Sequence, residues 1–342
     1  MNKSIFVPRF AAPVLGCILA ASFAVLHAQA PKMDFQGNPG GVRYLEEGQP
    51  PAVVHPTVEA MSAARAEWAQ HGVTEQASTT NQLYYHGGVG GIGVETAPRV
   101  YLVLWGAQWN NNDPSGEAQI LENFYTGVGS SSWNNSVTQY CQGVASGTFF
   151  CSGGQHAGNP SGMFAGVWAD SAGNAPNRPS QSQLAGEAVR AAQHFGNTTS
   201  SSNASVQYVI ATSHGHNASG FGTQYCAWHS SANSSFGNVA YTNLPYITDA
   251  GASCGANFNG LGAKAGITIV GGHEMAETET DQFPNGGWLD SSGSENGDKC
   301  AWISSGQGAS AKVTFPNGSS FPVQSLWSNA FNSDSGGCVL SY

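Results

Sequence analysis

Apolar residues gather in short runs whose length and composition predict buried strands: Arg99–Trp105 (RVYLVLW), Val206–Ala211 (VQYVIA) and Ala311–Phe315 (AKVTF). Elsewhere the period changes to that of a helix. Gln181–Phe195 (QSQLAGEAVRAAQHF) is amphipathic and follows Ser180, a good N-cap. Helices are also predicted at Glu117–Tyr125 and at Thr57–Gln70, the latter capped by Thr57 with Glu59 in its first turn. Residues 137–151 (VTQYCQGVASGTFFC) fit a strand–turn–strand unit closed by a disulfide. Strand, helix and strand, followed by a helix after the apolar run Ala265–Val270, predict an α/β or α+β fold. The expectation is a single layered domain with a mixed sheet. Residues 283–342 are rich in Gly, Ser and Asn and form a loop-rich, disulfide-stabilised C-terminal part.

The ends of the chain refine that picture. Lys3 and Arg9, the apolar stretch 11–26 and Ala28-Gln29-Ala30 read as a secretory signal over residues 1–30. Leu15-Gly16-Cys17 faintly resembles a lipoprotein box, but the apolar run continues past it, so plain secretion is expected. Residues 31–80 differ in composition and read as an N-terminal arm or a propeptide, with the main domain at 81–342. Beyond the signal, the six cysteines Cys141, Cys151, Cys226, Cys254, Cys300 and Cys338 suit three disulfides, and chain order suggests 141–151, 226–254 and 300–338. Losing residues 1–30 removes two basic and no acidic side chains, leaving nine Lys and Arg against 21 Asp and Glu. That balance argues against nucleic acid or an anionic membrane as partner. It leaves oligomeric state open.

The chemistry concentrates at Gly271–Glu277 (GGHEMAE). In the zinc-peptidase pattern H-E-x-x-H, two ligands sit four residues apart on one helical face, and the intervening Glu is a general base. Here the second ligand position is a carboxylate, giving H-E-x-x-E with His273 and Glu277 as ligands and Glu274 as the base. Zinc accepts carboxylate oxygen, so the exchange is chemically permissible. Glu274, Glu277, Glu279 and Asp281 crowd this stretch in a chain only 9% charged, and the preceding residues are apolar. Buried carboxylates need a compensating charge, and a cation supplies it. For further ligands the residues offer Asp281, Glu295, Asp298, His229, and the pair His214 and His216.

His273–Glu277 followed by Pro284-Asn285, Trp288 and Glu295-x-x-Asp298-x-Cys300 resembles the C-terminal motif of the phosphate-induced, exordium-like secreted proteins and their bacterial relatives. Tyr85–Gly88, Val100–Gly106, the Ser131–Trp133 region and Cys226-Ala-Trp-His229 resemble further elements of that family in the same order, over roughly residues 83–302. Ser213–His216 has no place in the pattern. The resemblance implies export, a shared fold and a shared metal-like site. It favours Asp298 as third ligand and His229 as a fourth, with Glu295 orienting a ligand.

The function expected is a secreted zinc-dependent endopeptidase acting on a protein or peptide substrate, with Glu274 moving the proton of a metal-activated water. The alternative is a non-catalytic extracellular binding or signalling protein with a structural zinc or calcium, displaying Trp105, Trp109 and Trp288 to a partner. A serine hydrolase built on Ser213 and His214 is a distant third, because Ser213 does not lie in a G-x-S-x-G elbow.

Overall fold

The computed structural model describes Met1 and residues 38–70 and 82–342. The expected signal sequence beyond Met1, and the arm at 31–37 and 71–80, lie outside those residues. In chain order the elements begin with β1 (Gly41–Arg43), β2 (Ala52–Pro56), α1 (Val58–Gln70), β3 (Tyr84–Tyr85), β4 (Arg99–Trp105) and α2 (Glu117–Val128). Next come β5 (Cys141–Gln142), β6 (Gln155–His156), β7 (Phe164–Asp170), α3 (Gln181–His194) and β8 (Val206–Thr212). The hairpin β9 (Tyr225–Ser234) and β10 (Gly237–Leu244) precedes α4 (Ala265–Thr280) and β11 (Trp288–Leu289). The chain closes with β12 (Ala311–Thr314), β13 (Ser320–Val323), β14 (Leu326–Ser328), α5 (Phe331–Asp334) and β15 (Gly337–Val339).

A seven-stranded mixed sheet runs in the order β1-β2-β9-β10-β8-β4-β7. Strands β10, β8, β4 and β7 are parallel, whereas β9, β2 and β1 attach by antiparallel pairings. Side chains alternate across the sheet as the pleat requires. Tyr101, Val103, Tyr208 and Ile210 meet Leu184, Ala188 and Ala191 of α3 on one face. Val100, Leu102, Val209 and Ala211 share the opposite core with Leu121 and Phe124 of α2 and Ile267 and Val270 of α4. The result is a three-layer α/β/α domain, as the sequence pattern predicts.

Local signals account for the helix starts. Ser180 Oγ accepts from the Gln183 N–H while Gln183 Oε1 accepts from the Ser180 N–H, a complete capping box. Thr57 Oγ1 accepts from the Ala60 N–H at the start of α1. The expected strand pair at 137–151 forms instead between 141–142 and 155–156, and the Cys141–Cys151 disulfide closes the loop between them. The other bridges are Cys226–Cys254 and Cys300–Cys338. Cross-links over loops of this size each contribute about 2–4 kcal/mol by restricting the unfolded chain. Among the described residues, no helix is long and apolar enough to cross a membrane.

Every residue of α4 is buried, so this is a core helix rather than an amphipathic one. Gly272 lets it approach α2 closely, since a Cβ there would stand 3.0 Å from Phe124 and 3.1 Å from Trp133. Behind α4, the Glu95 N–H donates to the Glu279 carbonyl, and Glu95 Oε2 accepts from Gln207 Nε2. Burial pushes the Glu95 carboxyl up to about 8, with Gln207 and Arg99 pulling the other way. Burial likewise pushes Glu117 up to about 7, against its hydrogen bonds to Thr248 and Ile247.

A carboxyl raised in the folded state favours folding fully below its unfolded value, and that advantage is lost as pH rises through the folded value. Both groups therefore lower the stability of the protein as pH rises from about 5 to about 8. Glu95→Gln should raise the melting temperature at pH 8 and leave it nearly unchanged at pH 5, as read by thermal melts across that window. The gain grows by about 1.4 kcal/mol for each pH unit climbed between the unfolded and folded titrations. A parallel loss of stability at both pH values would show that Glu95 is ionised and needed.

Candidate metal centre

His273 and Glu277 project from the same side of α4 one turn apart, and the residues around them converge on that point from three other elements. His229 comes from β9, His55 from β2, and Glu295 and Asp298 from the segment after β11. Each of these side chains, with Glu274, is buried. His273 Nε2 lies 3.0 Å from Glu277 Oε1 and 3.8 Å from Asp298 Oδ1. Two ligands on a tetrahedral zinc with bonds of about 2.1 Å stand about 3.4 Å apart, so these separations bracket the ligand spacing. His229 Nδ1 lies 3.6 Å from Glu274 Oε2 and 3.8 Å from Glu277 Oε2, and its Nε2 lies 3.5 Å from Glu295 Oε1.

Nearness here is not hydrogen bonding. His273 Nε2, both nitrogens of His229 and of His55, both oxygens of Glu274 and Glu295, Glu277 Oε2 and Asp298 Oδ1 have no hydrogen-bond partner although all are buried. Native structures rarely leave such atoms unsatisfied, and a cation is the common explanation where lone pairs converge. Three groups of ligand-type side chains result: His273–Glu277–Asp298, His229–Glu277–Glu295 and His55–His273–Glu274, each with its ligand atoms within 4.8 Å of one another. These buried His, Glu and Asp side chains can therefore hold a metal ion.

The protonation states suit that role. Burial lowers His273 to about 4 and His229 to about 3, so both imidazoles are neutral and present lone pairs. Burial, reinforced by the neighbouring carboxylates, raises Glu274, Glu277, Glu295 and Asp298 well above the usual range. A bound cation reverses that penalty.

The tautomer of His273 is set by Gln324. The Gln324 amide nitrogen donates to the carbonyls of Gly297 and Ser325, which turns Oε1 toward His273 Nδ1 at 3.1 Å. Nδ1 therefore carries the proton, and Nε2 faces Glu277 and Asp298 with its lone pair. Gly297 crosses directly above: a Cβ there would stand 2.7 Å from His273 Nδ1 and 2.9 Å from Glu277 Oε1. The Asp298 N–H donates to Glu277 Oε1, and Asp298 Oδ2 accepts from the Glu295 N–H. Asp298 thus caps its own turn with one oxygen and offers the other to the cluster.

All five side chains assigned from the sequence, Glu274, His273, Glu277, Asp298 and His229, meet in this one buried cluster. Glu295 groups with His229 and Glu277 as a ligand candidate and also lies against the Asp281 carboxyl. Asp281 belongs to none of the ligand groups. It accepts from the N–H groups of Asn285, Gly286 and Gly287 and shapes the turn after α4. His214 lies apart with Nδ1 on Asp249, whose other oxygen accepts from Gly215 and Asn217. Ser213 Oγ is buried without a hydrogen-bond partner, so Ser213 and His214 form no nucleophile–base pair.

Two site residues carry no sequence signal. His55 stacks on His273 with ring centroids 3.7 Å apart and planes within 4°, and Trp302 stacks on it at 5.0 Å. Gln324 is the other. Both arrive by tertiary contact. Trp105, Trp109 and Trp288 are not the displayed aromatics expected of a binding surface. All three are buried, and the indole N–H groups of Trp109 and Trp288 donate to the Ala211 and Cys141 carbonyls. No family model, curated protein or solved structure matches the chain.

Gln324→Leu should leave the fold intact and weaken zinc binding about 10–100-fold, the usual effect of removing a partner that orients a ligating histidine. Competition with a chromophoric chelator measures it. Unchanged affinity would mean that His273 does not ligate through Nε2.

Proposed function

We propose that the protein is a secreted zinc-dependent endopeptidase held in a latent form. The observation that carries this reading is Glu274. Its carboxylate is buried with both oxygens unpartnered, and it lies outside the His273–Glu277–Asp298 group while sitting beside it on α4. It groups with His55 and His273 and lies 3.6 Å from His229 Nδ1, beside the first histidine ligand, which is the place of the general base in the H-E-x-x-H pattern.

His273, Glu277 and Asp298 would hold a zinc ion, which would supply the Lewis acidity to polarise a peptide carbonyl and acidify a water. Glu274 accepts the proton of the attacking water and delivers it to the leaving amine. Neutral His229, 3.6 Å from Glu274 Oε2, can accept a hydrogen bond or donate one to the developing oxyanion. Three disulfides agree with an oxidising, extracellular setting, and the sequence features of residues 1–30 supply the route.

Access to the site requires movement of the arm. Strand β2 pairs antiparallel with β9, setting Val53 opposite His229, and His55 covers the ring of His273. An extended peptide adding to the same edge of β9 would use the backbone groups that β2 now occupies. Arm release therefore opens both the site and its strand-addition edge. One observation favours the second reading, a protein whose ion is structural: the whole cluster is sealed, Asp298 being only 3% exposed and the other six residues less.

The test compares wild type and Glu274→Gln as full-length chains, before and after limited proteolysis between α1 and β3, for zinc content and casein cleavage. Equal zinc in both, with cleavage by nicked wild type roughly 1000-fold above the variant, establishes Glu274 as the base. Equal zinc with no cleavage by either, nicked or intact, makes the ion structural.

A further inference from the structure

The charge and shape of the cluster point to more than one ion. Four carboxylates (Glu274, Glu277, Glu295 and Asp298) face three imidazoles (His55, His229 and His273) in a space closed to solvent. Among the described residues, the basic side chains set directly against these carboxylates are the imidazoles of His229 and His273. Lys299, next to Asp298 in the chain, places its ammonium 3.0 Å from Asp290 and over the Trp327 ring. Unpartnered ligand atoms lie on both sides of Glu277, more than one ion of ordinary coordination would use.

The ligand atoms divide accordingly. His273, Glu277 and Asp298 form one group, and His229, Glu277 and Glu295 form another, with Glu277 alone in common. The two oxygens of Glu277 face different histidines: Oε1 is 3.0 Å from His273 Nε2, and Oε2 is 3.8 Å from His229 Nδ1. In the second group, both His229 nitrogens, both Glu295 oxygens and Glu277 Oε2 lack any hydrogen-bond partner. A carboxylate shared in this way spans ions about 3.5–4 Å apart. Glu274 Oε2, 3.6 Å from His229 Nδ1, lies beside the second group as well.

We infer that the protein holds two divalent transition-metal ions bridged by Glu277, the second one on His229 and Glu295. The inference rests on the metal-centre reading of this site and is independent of peptide hydrolysis. Nitrogen and carboxylate donors without thiolate suit zinc, manganese or ferrous iron.

The experiment uses the full-length, disulfide-bonded chain, equilibrated with Zn²⁺, dialysed against metal-free buffer and analysed for metal by atomic emission. Two zinc ions per wild-type chain are expected, falling to one in Glu295→Gln and to one in Asp298→Asn, with less than one in Glu277→Gln. A wild-type chain that retains one zinc overturns the proposal however the variants fold. Mn²⁺ loaded in place of zinc reports the bridge in its electron paramagnetic resonance spectrum. An exchange-coupled signal supports the shared carboxylate, and two isolated six-line signals overturn it. Two bound ions without casein cleavage, even after limited proteolysis between α1 and β3, would uphold the binuclear centre and remove the peptidase reading.

Discussion

The constraint on which the molecule turns is the burial of α4. A helix sealed on all sides ordinarily carries only apolar residues, yet this one carries a histidine and three glutamates into the core. An ionised carboxylate moved out of water costs several kcal/mol even after relaxation. The surrounding architecture answers that cost residue by residue. Glu279 accepts from Asn134, and Glu277 accepts from the Asp298 N–H. Glu274, Glu295 and the outer oxygens of Glu277 and Asp298 receive nothing from the protein. The hydrogen-bond network is thus closed around Glu279, on the side of α4 away from the cluster, and left open on the side that faces it.

The scaffold holds the open side in place. His229 lies three residues from Cys226, whose disulfide to Cys254 ties β9 to the turn that leads into α4. Asp298 lies two residues from Cys300, whose disulfide to Cys338 pins the other ligand-bearing segment. Gln324 then ties that segment to His273 through the Gly297 carbonyl. Elements distant in sequence are fixed by covalent links within three residues of a ligand. Such anchoring preserves lone-pair convergence before any ion arrives.

The parts legible in the sequence were those encoded locally. Helical spacing placed His273 and Glu277 on one face, apolar runs marked β4 and β8, and Ser180 as N-cap marked the start of α3. The β9–β10 hairpin was hidden because β9 carries Ser230, Ser231 and Asn233, polar residues satisfied or covered only in the tertiary structure. His55 was invisible for a related reason: its partners, His273 and Trp302, lie more than 200 residues away. Trp288 was expected on the surface, but its burial follows from packing against Tyr85 and Tyr140 that composition does not report.

The arm joins these two themes. Ala52 and Val54 pack toward α3, and β2 places His55 on the cluster side. Met61 and Ala64 of α1 are buried as well, and Arg65 donates to the Ala301 and Trp302 carbonyls. The same segment therefore completes the sheet, braces the loop that carries Asp298 and covers the ligand set. Displacing it would remove hydrophobic burial and backbone pairing together. Closure of the cluster and stability are then the same interaction seen from two sides: whatever occupied the β9 edge in place of β2 would have to supply, in its own backbone and side chains, what β2 supplies now.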